Sequence, residues 1–221
     1  ALNNSQSNDN VGIGYRALIN HNNSNNHGSI GIGSDVLYSN TNGINTAIGQ
    51  AALYKNTGTG NTSFGYEAGF GNTGDDNVAV GHHAMRGCTD NNGCGGATNP
   101  YRNVAIGHSS LYSLGSGHSG YPDPGHSNVA IGSQTLYSLL TGENNVAIGF
   151  QAGYSTQNSG LGRDISNSVF IGHQAGYGVN ISNQLYIANG ANTSNRLIYG
   201  DFSSGNMTIG NGSGTIDFSA N

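Results

Sequence analysis

Asn145-Val146-Ala147-Ile148-Gly149-Phe150-Gln151-Ala152-Gly153-Tyr154 is the stretch from which the fold of this 221-residue chain can be read. It recurs along the chain. Asn45-Thr46-Ala47-Ile48-Gly49 is followed by Ala52, Leu53 and Tyr54, and Asn103-Val104-Ala105-Ile106-Gly107 by Ser110, Leu111 and Tyr112. A phrase that returns at a short fixed period marks a repeat architecture, so it sets the fold before any local feature does. Aligned on its glycine, the repeat has copies at Gly14, Gly33, Gly49, Gly65, Gly81, Gly107, Gly132, Gly149 and Gly172. The spacings are 19, 16, 16, 16, 26, 25, 17 and 23 residues, a base period of 16 with insertions in particular copies.

Each column of the repeat carries a physical expectation. Val or Thr stands three before most anchors and Ile one before, as at Val146 and Ile148, with a small residue between them. That alternation is strand periodicity with one apolar face. The small column runs Gly12, Gly31, Ala47, Ser63, Ala79, Ala105, Ala130 and Ala147 and turns large only at Phe170. Small residues on the second face predict the close approach of another backbone. Five after the anchor comes an aromatic column of Tyr38, Tyr54, Phe70, Tyr112, Tyr137, Tyr154 and Tyr177, broken by Ile19 and Arg86. One aromatic per coil is expected to pack on itself. The Asn that opens most copies can form an amide ladder with its neighbours above and below.

The sequence therefore predicts an all-β parallel β-solenoid over residues 10–178, preceded by a polar lead-in over 1–9. Nine coils at the strand spacing would make a rod about 45 Å long. Each coil offers only two or three sizeable side chains, a core too thin to stabilise a monomer comfortably. The small-residue face, Gly12, Gly31, Ala47, Ala79, Ala105, Ala130 and Ala147, is then expected to pack against other subunits around a threefold axis. Beyond Gly178 the glycine drops out of Gln184-Leu185-Tyr186-Ile187-Ala188-Asn189, and Arg196-Leu197-Ile198-Tyr199-Gly200-Asp201-Phe202 follows. There, over residues 179–221, a broader β neck or the start of a stalk is expected.

Composition narrows the function. Leu, Ile, Val and Phe make up just under a fifth of the chain, which can signal disorder, but charged residues are only 8% and the apolar ones are periodic. A net charge of −5 with scattered cations argues against nucleic acid. No apolar run is long enough for membrane insertion. Cys88 and Cys94 stand six apart in a Gly/Asn-rich insertion. They are expected to pair as a disulfide rather than remain free thiols, which would contribute roughly 2 kcal/mol and suit an oxidising, extracellular setting.

The Asn-Val-Ala-Ile-Gly repeat resembles the head repeats of trimeric autotransporter adhesins, and the block from Leu185 to Phe202 resembles segments of bacterial and phage tail-fibre proteins. The first resemblance implies a homotrimer of left-handed parallel β-rolls. The second implies a fibre whose intramolecular chaperone domain often follows and cuts itself away. Together they imply a protein displayed outside the cell, on a cell surface or on a virion or injection-apparatus tail. Adhesin repeats are more uniform than these, which carry long insertions.

Those insertions are the candidate recognition surface. The spacings 26, 25 and 23 exceed the base period by about 10, 9 and 7 residues, all beginning after the aromatic column, at Arg86, Tyr112 and Tyr154. Insertions at one phase of a solenoid emerge on one side. They bring Tyr101, Arg102, His118, Tyr121, Asp123, His126, Arg163 and Asp164, and Tyr and Arg are frequent interface anchors. The alternative is that these loops shield a subunit seam. His82, His108 and His173 share a column that Ser and aromatic residues fill elsewhere, which favours a solvent-facing role over a metal site. Asp75-Asp76 sits in a turn, where Asp is favoured for geometry alone. No cofactor is expected. The function read from the sequence is a non-enzymatic homotrimeric fibre that binds a cell-surface glycan or protein receptor. The alternatives are a fibre-borne polysaccharide depolymerase and a purely structural extracellular filament.

Overall fold

A computed structural model describes residues 9–20, 28–40, 43–87, 99–115, 125–154, 164–191 and 196–210. Among these residues every regular element is a strand. Nine strands of three residues come first: β1 (Val11–Ile13), β2 (Ile30–Ile32), β3 (Thr46–Ile48), β4 (Thr62–Phe64), β5 (Val78–Val80), β6 (Val104–Ile106), β7 (Val129–Ile131), β8 (Val146–Ile148) and β9 (Val169–Ile171). β10 (Gln184–Ala188), β11 (Arg196–Asp201) and β12 (Asn206–Ile209) follow. All twelve form one sheet in sequence order. Pairing is parallel and in register from β1 to β10, with Ala47 between Gly31 and Ser63 and Phe170 between Ala147 and Tyr186. The last two pairings, β10–β11 and β11–β12, are antiparallel. This is the expected β-solenoid, one strand per coil, ending in an antiparallel block.

The two faces of the strands are the reverse of the expectation. Ala47, Ala105, Ala130 and Ala147 are 0% exposed and Ala79 1%, and Gly31 is buried too. They lie inside the single chain, where a partner subunit cannot reach them. Gly12, in the first coil, is partly buried. The column is small because the opposite wall of the same coil approaches it: a Cβ added to Gly31 would lie 3.2 Å from Val36 Cγ1 and 3.4 Å from Leu37 Cδ1. The neighbouring Val and Ile point outward instead.

What fills the coil is a column four after the anchor: Leu18, Leu37, Leu53, Met85, Leu111 and Leu136, each at most 1% exposed. The residue before it is buried as well, as at Ala52 and Ala68. Consecutive residues of an extended strand would face opposite ways. Here alternate residues adopt left-handed backbone, Ala51 at φ 55° and Leu53 at φ 50°, and the chain curls so that Ala52 and Leu53 both face inward. A non-glycine residue in that region costs about 1–2 kcal/mol, and burying a Leu side chain, worth about 1.5–3 kcal/mol, offsets it. The anchor glycines have a different cause. Gly49 sits at φ 135°, and a Cβ there would lie 2.3 Å from Gly65 O of the next coil.

Volume is traded between the two walls around Phe170. Where the inner strand residue becomes Phe170, 0% exposed, the Leu column turns to glycine at Gly153 and Gly176. A Cβ at Gly153 would lie 3.0 Å from Phe170 Cδ2, and one at Gly176 would lie 2.1 Å from its Cδ1. The ring occupies the space that Leu side chains fill elsewhere.

The expected Asn ladder forms and is buried. Asn61, Asn77, Asn103, Asn128 and Asn145 each donate their backbone N–H to the Oδ1 of the Asn one coil earlier, at 2.8–3.1 Å. Their side-chain amides reach turn carbonyls, Asn77 to Pro100 O at 2.7 Å and Asn128 to Gly142 O at 2.8 Å. The row ends at Ser168, whose N–H donates to Asn145 Oδ1 at 3.1 Å. No buried side-chain polar atom among the described residues lacks a hydrogen-bond partner.

Candidate functional site

Three surfaces carry chemistry. The first is the outer face of the parallel strands. Ile13 is 57% exposed, Val11 44%, Ile48 41% and Ile148 40%, with Phe64, Ile106, Ile131 and Ile171 close behind. In-register pairing places these side chains in rows along the sheet, one per coil. Together they form a continuous apolar strip along the outer face of the sheet.

The second is the corner where the insertions rejoin the coils. Each rejoining segment docks on the coil before it: Arg102 N–H donates to Asp75 O, Ser127 N–H to Tyr101 O, Asn144 N–H to His126 O and Asn167 N–H to Glu143 O, at 2.9–3.2 Å. Tyr101 and His126 form an isolated parallel bridge, and their rings stack with centroids 4.7 Å apart. The Arg102 guanidinium lies 5.7 Å from the Tyr101 ring centre. On the far side, His126 Nε2 is 2.5 Å from Glu143 Oε2. Tyr101, Arg102 and His126, proposed from sequence, are thus brought together. Glu143 joins them and was missed, because it lies in a copy with no insertion after it until residue 154. Asp164 is placed apart, hydrogen-bonded to the Thr141 hydroxyl. His118, Tyr121, Asp123, Arg163 and the pair Cys88 and Cys94 lie outside the described residues.

Ser127 Oγ lies 3.2 Å from His126 Nδ1, which makes a Ser–His–Glu row with Glu143. The positive φ of Ser127, 56°, does not single it out as a strained nucleophile. Asp76, Arg102, Asn144 and Asn167 share it at 55–56° in the same column. The turn imposes that conformation in coil after coil.

The third surface is the aromatic column, which stacks as expected. Tyr38–Tyr54–Phe70 and Tyr112–Tyr137–Tyr154–Tyr177 are two runs with centroids 4.8–5.4 Å apart. Arginines sit where the column breaks. Arg16 lies 5.0 Å from the Tyr38 ring centre, and Arg86 lies 5.7 Å from Phe70 and 5.8 Å from Tyr112. Arg86 Nε donates to Glu67 Oε2 at 2.5 Å and Nη1 donates to Tyr112 Oη at 3.0 Å. Burial pushes the Glu67 carboxyl up, but hydrogen bonds from Arg86 and Tyr66 and the charges of Arg86 and His83 outweigh it, leaving it below its ordinary value. His83 Nε2 is 3.4 Å from the same oxygen. Partial burial first, then the charges of His82 and Arg86, hold its imidazole below the ordinary range. His82 stacks between Tyr66 and His108, at 5.1 and 5.3 Å. Among the described residues no three His, Cys, Asp or Glu side chains converge to hold a metal ion, and no helix is long and apolar enough to cross a membrane. In comparisons with known proteins, the chain matches no family model, no curated protein and no solved structure.

Proposed function

We propose that this chain is the β-roll segment of a homotrimeric extracellular fibre that recognises a cell-surface glycan or protein receptor without catalysing a reaction. The observation that carries this reading is the row of exposed Val, Ile and Phe side chains on β1 to β9. Each coil closes its own interior without them. Rows of half-exposed aliphatic side chains are costly in water and become an interface core when copies come together. The number three comes from the resemblance to trimeric adhesin heads. The antiparallel block β10–β12 would begin the neck of the fibre, and the corner of Tyr101, Arg102, His126 and Glu143 would anchor the receptor-binding loops.

Light scattering on the purified chain tests the assembly. Mass should correspond to three copies of the 22.6 kDa chain. The double variant Ile106→Asp, Ile148→Asp, whose positions are two coils apart, should shift it to one copy. Substitutions at positions already 37% and 40% exposed, with no like charge opposite, should alter a lone monomer by no more than about 1 kcal/mol each. A wild-type chain that stays monomeric at micromolar concentration refutes the proposal.

A further inference from the structure

The aromatic column has four ends, and three are covered by guanidinium groups: Tyr38 by Arg16, and Phe70 and Tyr112 by Arg86. The fourth is Tyr177. One face of its ring stacks on Tyr154, 5.3 Å away and 10° from parallel, and among the described residues no further ring stacks on it. Instead, Tyr177 forms a wall of a cavity of about 190 Å³. The other walls include Val179, Tyr186, Arg196 and the backbone at Gly176 and Gly190. The change of fold creates this cavity. The parallel coils end at β10, and the strand that follows, β11, turns antiparallel and brings Arg196 to the edge of the stack.

The Arg196 guanidinium is positioned by two rings. It lies 4.4 Å from the Tyr199 centroid and 5.5 Å from that of Tyr186, and those rings meet edge to face at 5.1 Å. The guanidinium hydrogen-bonds the Tyr186 phenol, and as a planar, permanently charged group with five N–H donors it suits a carboxylate. Burial raises the Tyr186 phenol above its ordinary range, so it stays a neutral hydroxyl at pH 7. The cavity therefore joins an aromatic face, a fixed cation and polar backbone.

We propose that this cavity binds a single acidic pyranose, with the C–H face of the ring on Tyr177 and its carboxylate on Arg196. A sugar ring has an apolar face suited to an aromatic ring and an equatorial rim of hydroxyls suited to backbone amides and carbonyls. The volume falls below the roughly 300–1,000 Å³ of sites for drug-sized ligands, so it holds one ring, such as the terminal residue of a longer glycan. Within the column no sugar can insert, since ring neighbours at about 5 Å cover both faces of Tyr54, Tyr137 and Tyr154. The site is formed within one chain. It rests neither on trimer formation nor on the loop-borne recognition proposed above.

Ligand-observed saturation-transfer NMR on the full chain, with methyl β-glucuronide, methyl β-glucoside and benzoate as probes, tests the site. The glucuronide is expected to bind with millimolar affinity and the neutral glucoside about tenfold more weakly, the loss of one charge-assisted pair. Arg196→Gln should remove that preference and Arg196→Lys should retain part of it. Tyr177→Ala should weaken both sugars, and Tyr177→Phe, which keeps the ring, should bind like the wild type. Circular dichroism checks that each variant folds. The proposal fails if the glucuronide does not bind up to about 50 mM, or if it binds no better than the glucoside. It fails equally if Arg196→Gln keeps the preference, or if benzoate binds as well as the glucuronide.

Discussion

Replacing Phe170 by Ala and Gly153 by Leu, singly and together, tests whether volume is traded between the two walls around Phe170. Phe170 is 0% exposed, and its removal leaves a cavity that should cost about 3–5 kcal/mol. Gly153→Leu in the wild-type background places a Cβ 2.5 Å from Leu136 Cδ2 and 3.0 Å from Phe170 Cδ2. The Leu136 methyl, at the end of a flexible side chain, can swing aside, but the buried ring cannot, so overpacking should cost about 1–3 kcal/mol. The left-handed backbone at residue 153, φ 65°, adds about 1–2 kcal/mol for any side chain. In the Phe170→Ala background the same Leu finds the vacated space and meets the Ala-with-Leu pairing of most other coils. Its burial should then offset the backbone cost and recover about 1 kcal/mol. The sign of one substitution thus reverses with the background, a coupling of at least about 3 kcal/mol. Denaturant midpoints of the four proteins at one concentration measure it. Equal destabilisation by Gly153→Leu in both backgrounds would refute the reasoning.

Asn103→Ala should cost about 3 kcal/mol. It strips a buried acceptor from Asn128 N–H, at 2.9 Å, and a buried donor from Asn77 Oδ1, at 3.1 Å. Asn144→Ala, on the exposed corner at left-handed φ that Asn tolerates better than Ala, should stay within about 1 kcal/mol, and similar losses at the two sites in urea denaturation would contradict the ladder's role. Stability should fall on acidification. The Glu67 contribution is complete above its ordinary 4.5 and is lost as pH drops through its lower folded value. His83, held below its ordinary 6.5, resists a proton that the unfolded chain accepts below that pH, so its contribution has the same sign. The difference in thermal midpoint between wild type and Glu67→Gln should shrink from pH 6 to pH 3, and a constant difference would exclude the linkage. The double variant Tyr101→Ala, His126→Ala should keep the assembled mass and lose binding to the native cell surface by about tenfold, read by flow cytometry. Undiminished binding moves the recognition site away from the loop feet.

The repeat was legible because period, glycine anchors and Asn columns each have one structural meaning. A 16-residue coil stacked in register must align every column, so the Asn ladder and the Tyr stacks followed from spacing alone. Which face pointed inward was not legible from the strand. Val-Ala-Ile alternation says that two faces differ, and hydrophobicity argues for burying Val and Ile. What decides is coil diameter, set by the opposite wall, where Leu53 and its equivalents project across the interior. That column was visible in the sequence as Leu18, Leu37, Leu53, Met85, Leu111 and Leu136. Its meaning was hidden because two adjacent inward residues, Ala52 and Leu53, fit neither strand alternation nor helix period. Only left-handed φ at alternate non-glycine residues reconciles them, and no composition rule predicts it there. Glu143 escaped for a related reason. Its partner His126 is 17 residues away, and the pair exists only because corners stack coil on coil.

The same stacking explains why the insertions share one phase. Along most of a coil, backbone groups are committed to both neighbours. Leu53 N–H donates forward to Ala68 O at 3.0 Å, and Gly49 N–H donates back to Ile32 O at 2.8 Å. An extra residue anywhere in those segments would slip the register, turn the strand's faces over and break the buried Asn row on both sides. After the aromatic column the constraint relaxes. Among the described residues, the last forward bonds before two of the insertions are Gly87 N–H to Tyr112 O and Gly115 N–H to Leu140 O, both 3.0 Å, and after them Pro100 O accepts from the Asn77 side chain and Arg102 and Ser127 dock on the preceding coil. Between those points the number of residues varies, and spacings of 16 and 26 coexist in one stack of in-register strands. Because the rejoining residues re-register whatever the loop length, Tyr101, His126 and Glu143 stay in one row although 25 and 17 residues separate them in sequence. A solenoid of this design can vary the number of residues between coils while the row of Tyr101, His126 and Glu143 keeps its register.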